Sequence, residues 1–301
     1  MASPPQAKVE PMSEKRNLVF IVLFSGAVLI TILIVAAYFL VMFSLGGDNP
    51  GLGRVIAQVN IQGEIFYDLE KVGEIESYRE NDRVKAVLLY INSPGGGVAG
   101  SQELYHAVRK LRDRKPVVAF MSEVGASGGY YVACAADSIV ALEGTITGSI
   151  GVIAAFLNTQ ELYHKIGLGV NVIKSGKYKD VGSPHREMTE EEHAYIEKLL
   201  DTAYRQFLQA VSEGRGMALD EVGAVAEGRI FSGEEAKEKQ LIDRIGTYED
   251  AVTLAARMGG ISGDPRILQK RQKKRFLEPI LGSLNIQTPG TARIALKYII
   301  P

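Results

Sequence analysis

Between Asn17 and Gly47 the chain carries no charged residue; Leu, Ile, Val, Phe and Ala dominate, with Gly26 and Thr31 as mild interruptions. A helix that crosses a bilayer needs about 20 apolar residues, and this run is about twice the roughly 7–15-residue apolar core of a cleaved secretory signal. No small-x-small exit precedes Gly46-Gly47. The pattern therefore predicts a retained N-terminal transmembrane helix over 17–47. Lys15 and Arg16 lie just before it, Lys8 further out, and Asp48 after it. The positive-inside rule then predicts a cytoplasmic segment 1–16 and an extracytoplasmic remainder, on the periplasmic or cell-surface side of a single-pass protein.

Beyond a Gly/Pro-rich joint from Gly46 to Gly53 the pattern changes to short β-like runs alternating with amphipathic helices. Arg54–Phe66 is rich in Val and Ile. Leu69–Asn81 is charged and helical in spacing. Val84–Ile91 is a nearly unbroken aliphatic run, the composition of a strand buried on both faces. Helices are predicted over Gly100–Arg114, Gly128–Ala136, Glu234–Gln240 and Tyr248–Met258, and strands over Pro116–Met121, Ile139–Leu142, Gly151–Leu157 and Val170–Ile173. Thr189 with Glu192 three residues on is a capping box. It opens a long helix whose apolar positions Ile196, Leu199, Leu200, Ala203, Phe207 and Leu208 follow the 3.6 period. Alternation of this kind predicts an α/β domain with a parallel sheet, extending over 48–263.

From about Asp264 the character changes again. A basic run (Lys270, Arg271, Lys273, Lys274, Arg275) stands beside Phe276, Leu277, Pro279, Ile280 and Leu281, which predicts a solvated tail over 264–301, with contact to anionic lipid as the alternative. Its end, Leu296-Lys297-Tyr298-Ile299-Ile300-Pro301, resembles a hydrophobic peptide substrate that could occupy the chain's own groove or a neighbour's.

Composition narrows the chemistry. The formal net charge of −1 offers no electrostatic argument for nucleic acid. The single cysteine, Cys134, cannot form an internal disulfide and lies in the apolar run Tyr131–Ala136, where a small buried hydrophobe is expected. Nothing in the chain calls for a cofactor or a metal.

The candidate chemistry centres on Gly125-Ala126-Ser127-Gly128-Gly129-Tyr130. Small residues flank a serine, and the Gly128 backbone N–H directly follows its hydroxyl, which is how a nucleophile is set beside one donor of an oxyanion hole. The bland reading of these residues is a Gly/Ser turn. A helix opening at Gly128 would aim its positive end at the serine oxygen. A serine needs a base, and none of His106, His164, His185 and His193 has the setting of a triad histidine. Lysine is the other candidate: Lys174, Lys177 and Lys179 cluster in one loop-like stretch, and the residues alone do not choose among them. Near its ordinary pKa of about 10.4 a lysine is neutral only about once in a few thousand at pH 7, so a base role requires its environment to depress that value. A second glycine cluster, Asn92-Ser93-Pro94-Gly95-Gly96-Gly97, follows a predicted strand, where parallel sheets bind ligands, and its amides could face those after Ser127.

Four motifs occur in order: N-S-P-G-G-G-V (92–98), G-A-S-G-G-Y-Y (125–131), T-G-S-I-G-V (147–152) and K-S-G-K-Y-K-D (174–180). Together they closely resemble the short form of the bacterial signal peptide peptidase A (SppA) family, serine–lysine peptidases of family S49. The resemblance implies a Clp protease/crotonase-like spiral of β-β-α units. It also implies Ser127 as nucleophile, Lys179 as general base, Gly96 and Gly128 as oxyanion donors and Ser149 as the residue that orients the lysine. It further implies a homo-oligomeric ring or dome in which neighbouring subunits share a site, acting on hydrophobic peptides, the remnant signal peptides, at the membrane. The alternatives are a quality-control peptidase for membrane proteins with the same fold or, from another class, a non-catalytic crotonase-like membrane scaffold.

Overall fold

The computed structural model describes residues 12–45, 54–270 and 297–299, with side chains over 22–38, 40 and 54–270. The chain divides into two units, Met1–Gly53 and Arg54–Pro301.

In the first unit, Met12–Leu45 forms one helix, α1. Its described side chains are mostly exposed and apolar, among them Leu23, Phe24, Leu29, Ile34 and Leu40. Among the described residues no helix is long and apolar enough to cross a membrane. Gly46 and Gly47, the end of the predicted span, lie outside the described residues.

The second unit runs β1 (Val55–Gln62), α2 (Leu69–Glu80), β2 (Val84–Ser93), β3 (Gly95–Gly97), α3 (Val98–Arg112), β4 (Val117–Ala126), α4 (Gly128–Ala133), β5 (Ser138–Ala141), β6 (Ile146–Gly148) and α5 (Gln160–Lys165). It continues with α6 (Glu190–Arg215), α7 (Leu219–Val225), β7 (Ile230–Phe231), α8 (Gly233–Glu238), β8 (Arg244–Ile245), α9 (Tyr248–Met258), β9 (Arg266–Gln269) and β10 (Lys297–Ile299). The main sheet has the order β7-β6-β4-β2-β1-β9, with β5 on the first half of β4 and β8 on β5. All its pairings are parallel except β6 with β7. The protein is thus a mixed α/β structure with a mostly parallel sheet, and β-β-α successions occur at β2–β3–α3 and β5–β6–α5. The sheet takes in Arg266–Gln269, beyond the change of character at Asp264.

Both faces of the sheet are covered, which accounts for the unbroken apolar run in β2. Successive side chains point to opposite faces. Val87, Leu89 and Ile91 enter the larger core with Ile75, Leu104, Leu111, Tyr130 and Phe207, whereas Ala86 and Leu88 pack with Val252 and Ala255 of α9. Cys134 is fully buried in the larger core, and burial pushes its thiol up to about 12. The capping box forms as predicted: Thr189 Oγ1 accepts from the Glu192 N–H at 3.2 Å and Glu192 Oε2 accepts from the Thr189 N–H at 2.9 Å.

Two predicted strands do not form. Gly151–Leu157 and Val170–Ile173 are irregular, apart from a bridge residue at Ile153. Their β-branched composition suits a strand, but apart from Ile153 neither segment is paired into a described sheet. The apolar side chains of this region point outward: Leu157, Ile166, Leu168 and Val170 are exposed, and Ile173 is 94% exposed.

Candidate active site

Strands β2, β4 and β6 are parallel neighbours, so their C-terminal ends lie side by side, and each is followed by one of the small-residue motifs. Parallel sheets present ligand sites at these ends because the following turns leave backbone amides pointing out of the sheet. Thr147 fixes the β4–β6 junction, its buried hydroxyl donating to the Gly125 carbonyl at 2.7 Å. One residue further, the Ser127 N–H donates to the Gly148 carbonyl at 2.8 Å.

Ser127 stands where β4 turns sharply into α4. Its φ is 52° and its ψ −118°, a conformation costly for a residue with a side chain. Ser149, in the equivalent place after β6, has φ 49°. Among the described residues only one further non-glycine residue, Gln240, has a positive φ. Strained backbone is thus concentrated at two adjacent strand ends. Ser127 is 1% exposed, and its Oγ is a buried polar atom without a hydrogen-bond partner among the described residues. Such an atom costs stability, so the fold holds this hydroxyl in place without using it. Ser149 is also buried and borders a cleft of about 430 Å³ with Ile150, Ile153, Leu200 and Tyr204.

The glycine loop after β2 is shaped from both sides. Ser93 Oγ donates to the Gly63 carbonyl at 2.6 Å and accepts from the Gly95 N–H at 3.2 Å. Ile65 holds the strand β3: its N–H donates to the Gly95 carbonyl at 2.7 Å, and its carbonyl accepts from the Gly97 N–H at 2.8 Å. A Cβ on Gly96 would lie 2.1 Å from the Ile65 carbonyl oxygen, so no other residue fits there. A Cβ on Gly128 would lie 2.4 Å from Ser101 Oγ and 3.2 Å from both the Gly96 nitrogen and the Gly95 Cα. Gly128 therefore has no room for a side chain against the Gly95–Gly96 backbone beside Ser127. Gly128 opens α4, where the first N–H groups have no partner within the helix.

Chain from the C-terminal segment lies on this loop. Lys297, Tyr298 and Ile299 pair antiparallel with Gly97, Gly96 and Gly95, and β10 also lies against α3 and α4. The glycine strand thus has Ile65 on one edge and accepts an extended chain on the other, a strand-addition mode of peptide binding.

The three lysines left open by their pattern differ in what they touch. Lys174 Nζ donates to Asp180 Oδ1 at 2.5 Å and to the Lys177 carbonyl at 3.0 Å. Lys177 Nζ donates to Glu191 Oε2, and that carboxylate raises its pKa, the wrong direction for a base. Lys179 is exposed, and its amine has no hydrogen-bond or ion-pair partner among the described residues. Within one chain Lys179 and Ser127 are not bonded to each other, since Ser127 Oγ has no hydrogen-bond partner among the described residues. His106, His164 and His193 are exposed and His185 is half-buried against the Tyr163 ring; none of them bonds to Ser127.

Beside Lys179 the structure contains a charged assembly that the motifs did not reveal. Arg186 donates through Nε and Nη2 to the Asp180 carboxylate oxygens Oδ2 and Oδ1 at 3.0 and 2.9 Å, and through Nη1 and Nη2 to Glu192 Oε2 and Oε1 at 2.7 and 2.5 Å. Arg186, followed by Lys174, holds the Asp180 carboxyl well below its ordinary range, and Arg186 with the Thr189 N–H lowers Glu192 to about 2. The one sequence signal is spacing, with Arg186 six residues from each carboxylate.

Residues 109–262 match the family model described as peptidase family S49. The chain belongs to peptidase family S49. A Methanocaldococcus jannaschii protein provisionally named a protease is 36% identical over 273 residues, covering 85% of this chain and 86% of that protein. The chloroplastic serine protease SPPA of Arabidopsis thaliana is 36% identical over 245 residues, 80% of this chain but 36% of the plant protein. An Enterococcus faecium protein provisionally named signal peptide peptidase SppA is 40% identical over 180 residues, 60% of this chain and 52% of that one. This S49 peptidase is therefore SppA-like, and its family match takes in the serine, the T-G-S turn and all three lysines.

Proposed function

We propose that this S49 peptidase is a membrane-anchored serine endopeptidase in which Ser127 is the nucleophile and Lys179 of a neighbouring copy is the general base. The observation that carries the reading is the Ser127 hydroxyl: buried, without a partner among the described residues, and held at a strained backbone angle beside Gly96 and Gly128, neither of which has room for a side chain. A neutral Lys179 amine takes the Ser127 proton as the oxygen attacks the scissile carbonyl. The Gly96 and Gly128 N–H groups hold the oxyanion. The lysine then gives its proton to the leaving amine, and activates water to release the acyl group. Ser149 orients the amine.

Sharing of the site between copies is supported by two features. Lys179 has no partner among the described residues of its own chain, and the segment that carries it exposes Leu157, Ile166, Leu168, Val170 and Ile173. Exposed apolar side chains in such number call for a covering surface, and a second copy brings both the cover and the serine. Membrane attachment is supported by the charge-free run from Asn17 to Gly47, which α1 contains almost whole. The substrates are hydrophobic peptides, the signal peptides left after export, bound as a strand on Gly95–Gly97 in the manner of β10. The catalytic unit then works on the extracytoplasmic side.

Mass spectrometry of a synthetic signal peptide incubated with the wild type and with Ser127→Ala tests the reading. Internal cleavage within the apolar core by the wild type alone is expected. Cleavage by Ser127→Ala would overturn it, and faster cleavage of an unfolded membrane protein would favour a quality-control role.

A further inference from the structure

A lysine that acts as a base must shed its proton, and a neighbouring carboxylate opposes this by favouring the ammonium form. Asp180 directly follows Lys179. Both its oxygens are occupied: Oδ1 accepts from Lys174 Nζ at 2.5 Å and Arg186 Nη2 at 2.9 Å, and Oδ2 accepts from Arg186 Nε at 3.0 Å. The other edge of the same guanidinium grips Glu192, whose side chain is 4% exposed and whose Oε2 also closes the capping box of α6. Lys177 and Tyr178 reach back to Glu191 on the same helix turn. The residues before and after Lys179 are therefore tied to the start of a 26-residue helix, while its own amine has no partner among the described residues. His185, beside Arg186, faces the Tyr163 ring of α5 and adds no charge partner to Asp180.

We infer that Arg186 is a positioning residue for Lys179: it occupies the Asp180 carboxylate that would otherwise pair with the lysine, and it fixes the lysine turn to α6. The inference rests on the reading of Lys179 as the base. A planar guanidinium presents two edges, each able to grip a carboxylate through two N–H groups, a geometry the point-like ammonium of a lysine does not supply.

The test is the pH dependence of kcat/KM for cleavage of a fluorogenic hydrophobic peptide by the full-length protein carrying Arg186→Gln, Asp180→Asn, or both. Arg186→Gln frees Asp180 Oδ2, so the acidic limb should move up by about one pH unit, with about tenfold loss below the limb and recovery on the alkaline plateau. In the double variant the limb should return to the wild-type position or below, although the ionic assembly is gone. Asp180→Asn alone, which keeps the Arg186–Glu192 contact, should leave the limb at or below its wild-type place. A merely structural Arg186 would lower the plateau and leave the limb unmoved, which would overturn the inference. So would an Asp180→Asn limb displaced upward, a result that holds even if Arg186→Gln does not fold. Failure of the underlying reading is distinguishable, because Lys179→Ala would then retain activity.

Discussion

Gly128 and Gly96 meet so closely that a Cβ on the first would stand 3.2 Å from the backbone nitrogen of the second. Two strands that end side by side thereby bring two backbone amides together next to one serine. Gly96→Ala would drive its methyl into the Ile65 carbonyl at 2.1 Å and force β3 away from Gly128. The expected result is a fall in kcat of about a hundredfold or more, the usual effect of losing an oxyanion donor. Peptide-cleavage kinetics check this.

Ser127→Ala should remove activity without weakening the fold. The hydroxyl is buried and bonded to none of the described residues, so its removal relieves an unsatisfied polar group and should raise stability by about 1 kcal/mol. Thermal unfolding of the variant beside the wild type reads this directly. A clear loss of stability would mean that the hydroxyl has a structural partner after all.

The C-terminal segment occupies the edge of β3 on which a substrate strand would lie. Shortening the chain to end at residue 290 should lower KM for a hydrophobic peptide and leave kcat nearly unchanged, because a competitor for the strand edge is gone. Steady-state kinetics at several peptide concentrations separate the two effects.

Acid should loosen the lysine turn. Glu192 is lowered from 4.5 to about 2, and Asp180 also lies below its ordinary 3.8. Carboxylates with depressed values contribute stability that is fully present above their unfolded pKa and is lost as pH falls toward the folded one. Between about pH 4.5 and 2 the contacts of Arg186 should therefore weaken. Hydrogen exchange over 174–192, corrected for the intrinsic rate, should show protection at pH 5 that declines by pH 2.5.

Much of this was legible in the amino-acid pattern, for identifiable reasons. A strand buried on both faces is an unbroken aliphatic run, so β2 could be read directly, and the Thr189–Glu192 box announced α6. Gly151–Leu157 and Val170–Ile173 misled because β-branched residues report that a strand is tolerated, not that a partner strand exists. The two-residue strands β7 and β8 are too short to have a period. Ser127 was visible from its small neighbours. The distinction among Lys174, Lys177 and Lys179 was not legible from residue types, since it depends on which lysine the turn delivers to Asp180 and which to Glu191. The Arg186 assembly escaped for the same reason: spacing alone does not say that two carboxylates share one guanidinium.

The most direct test of a site built from Ser127 of one copy and Lys179 of the next is subunit mixing. Ser127→Ala and Lys179→Ala proteins, each inactive alone, are combined under conditions that allow subunits to exchange, and peptide cleavage is measured. A head-to-tail assembly that shares its sites should recover up to about a quarter of wild-type activity, the share of contacts that join an intact serine to an intact lysine. No recovery despite demonstrated exchange, or full activity of Lys179→Ala by itself, would contradict the account.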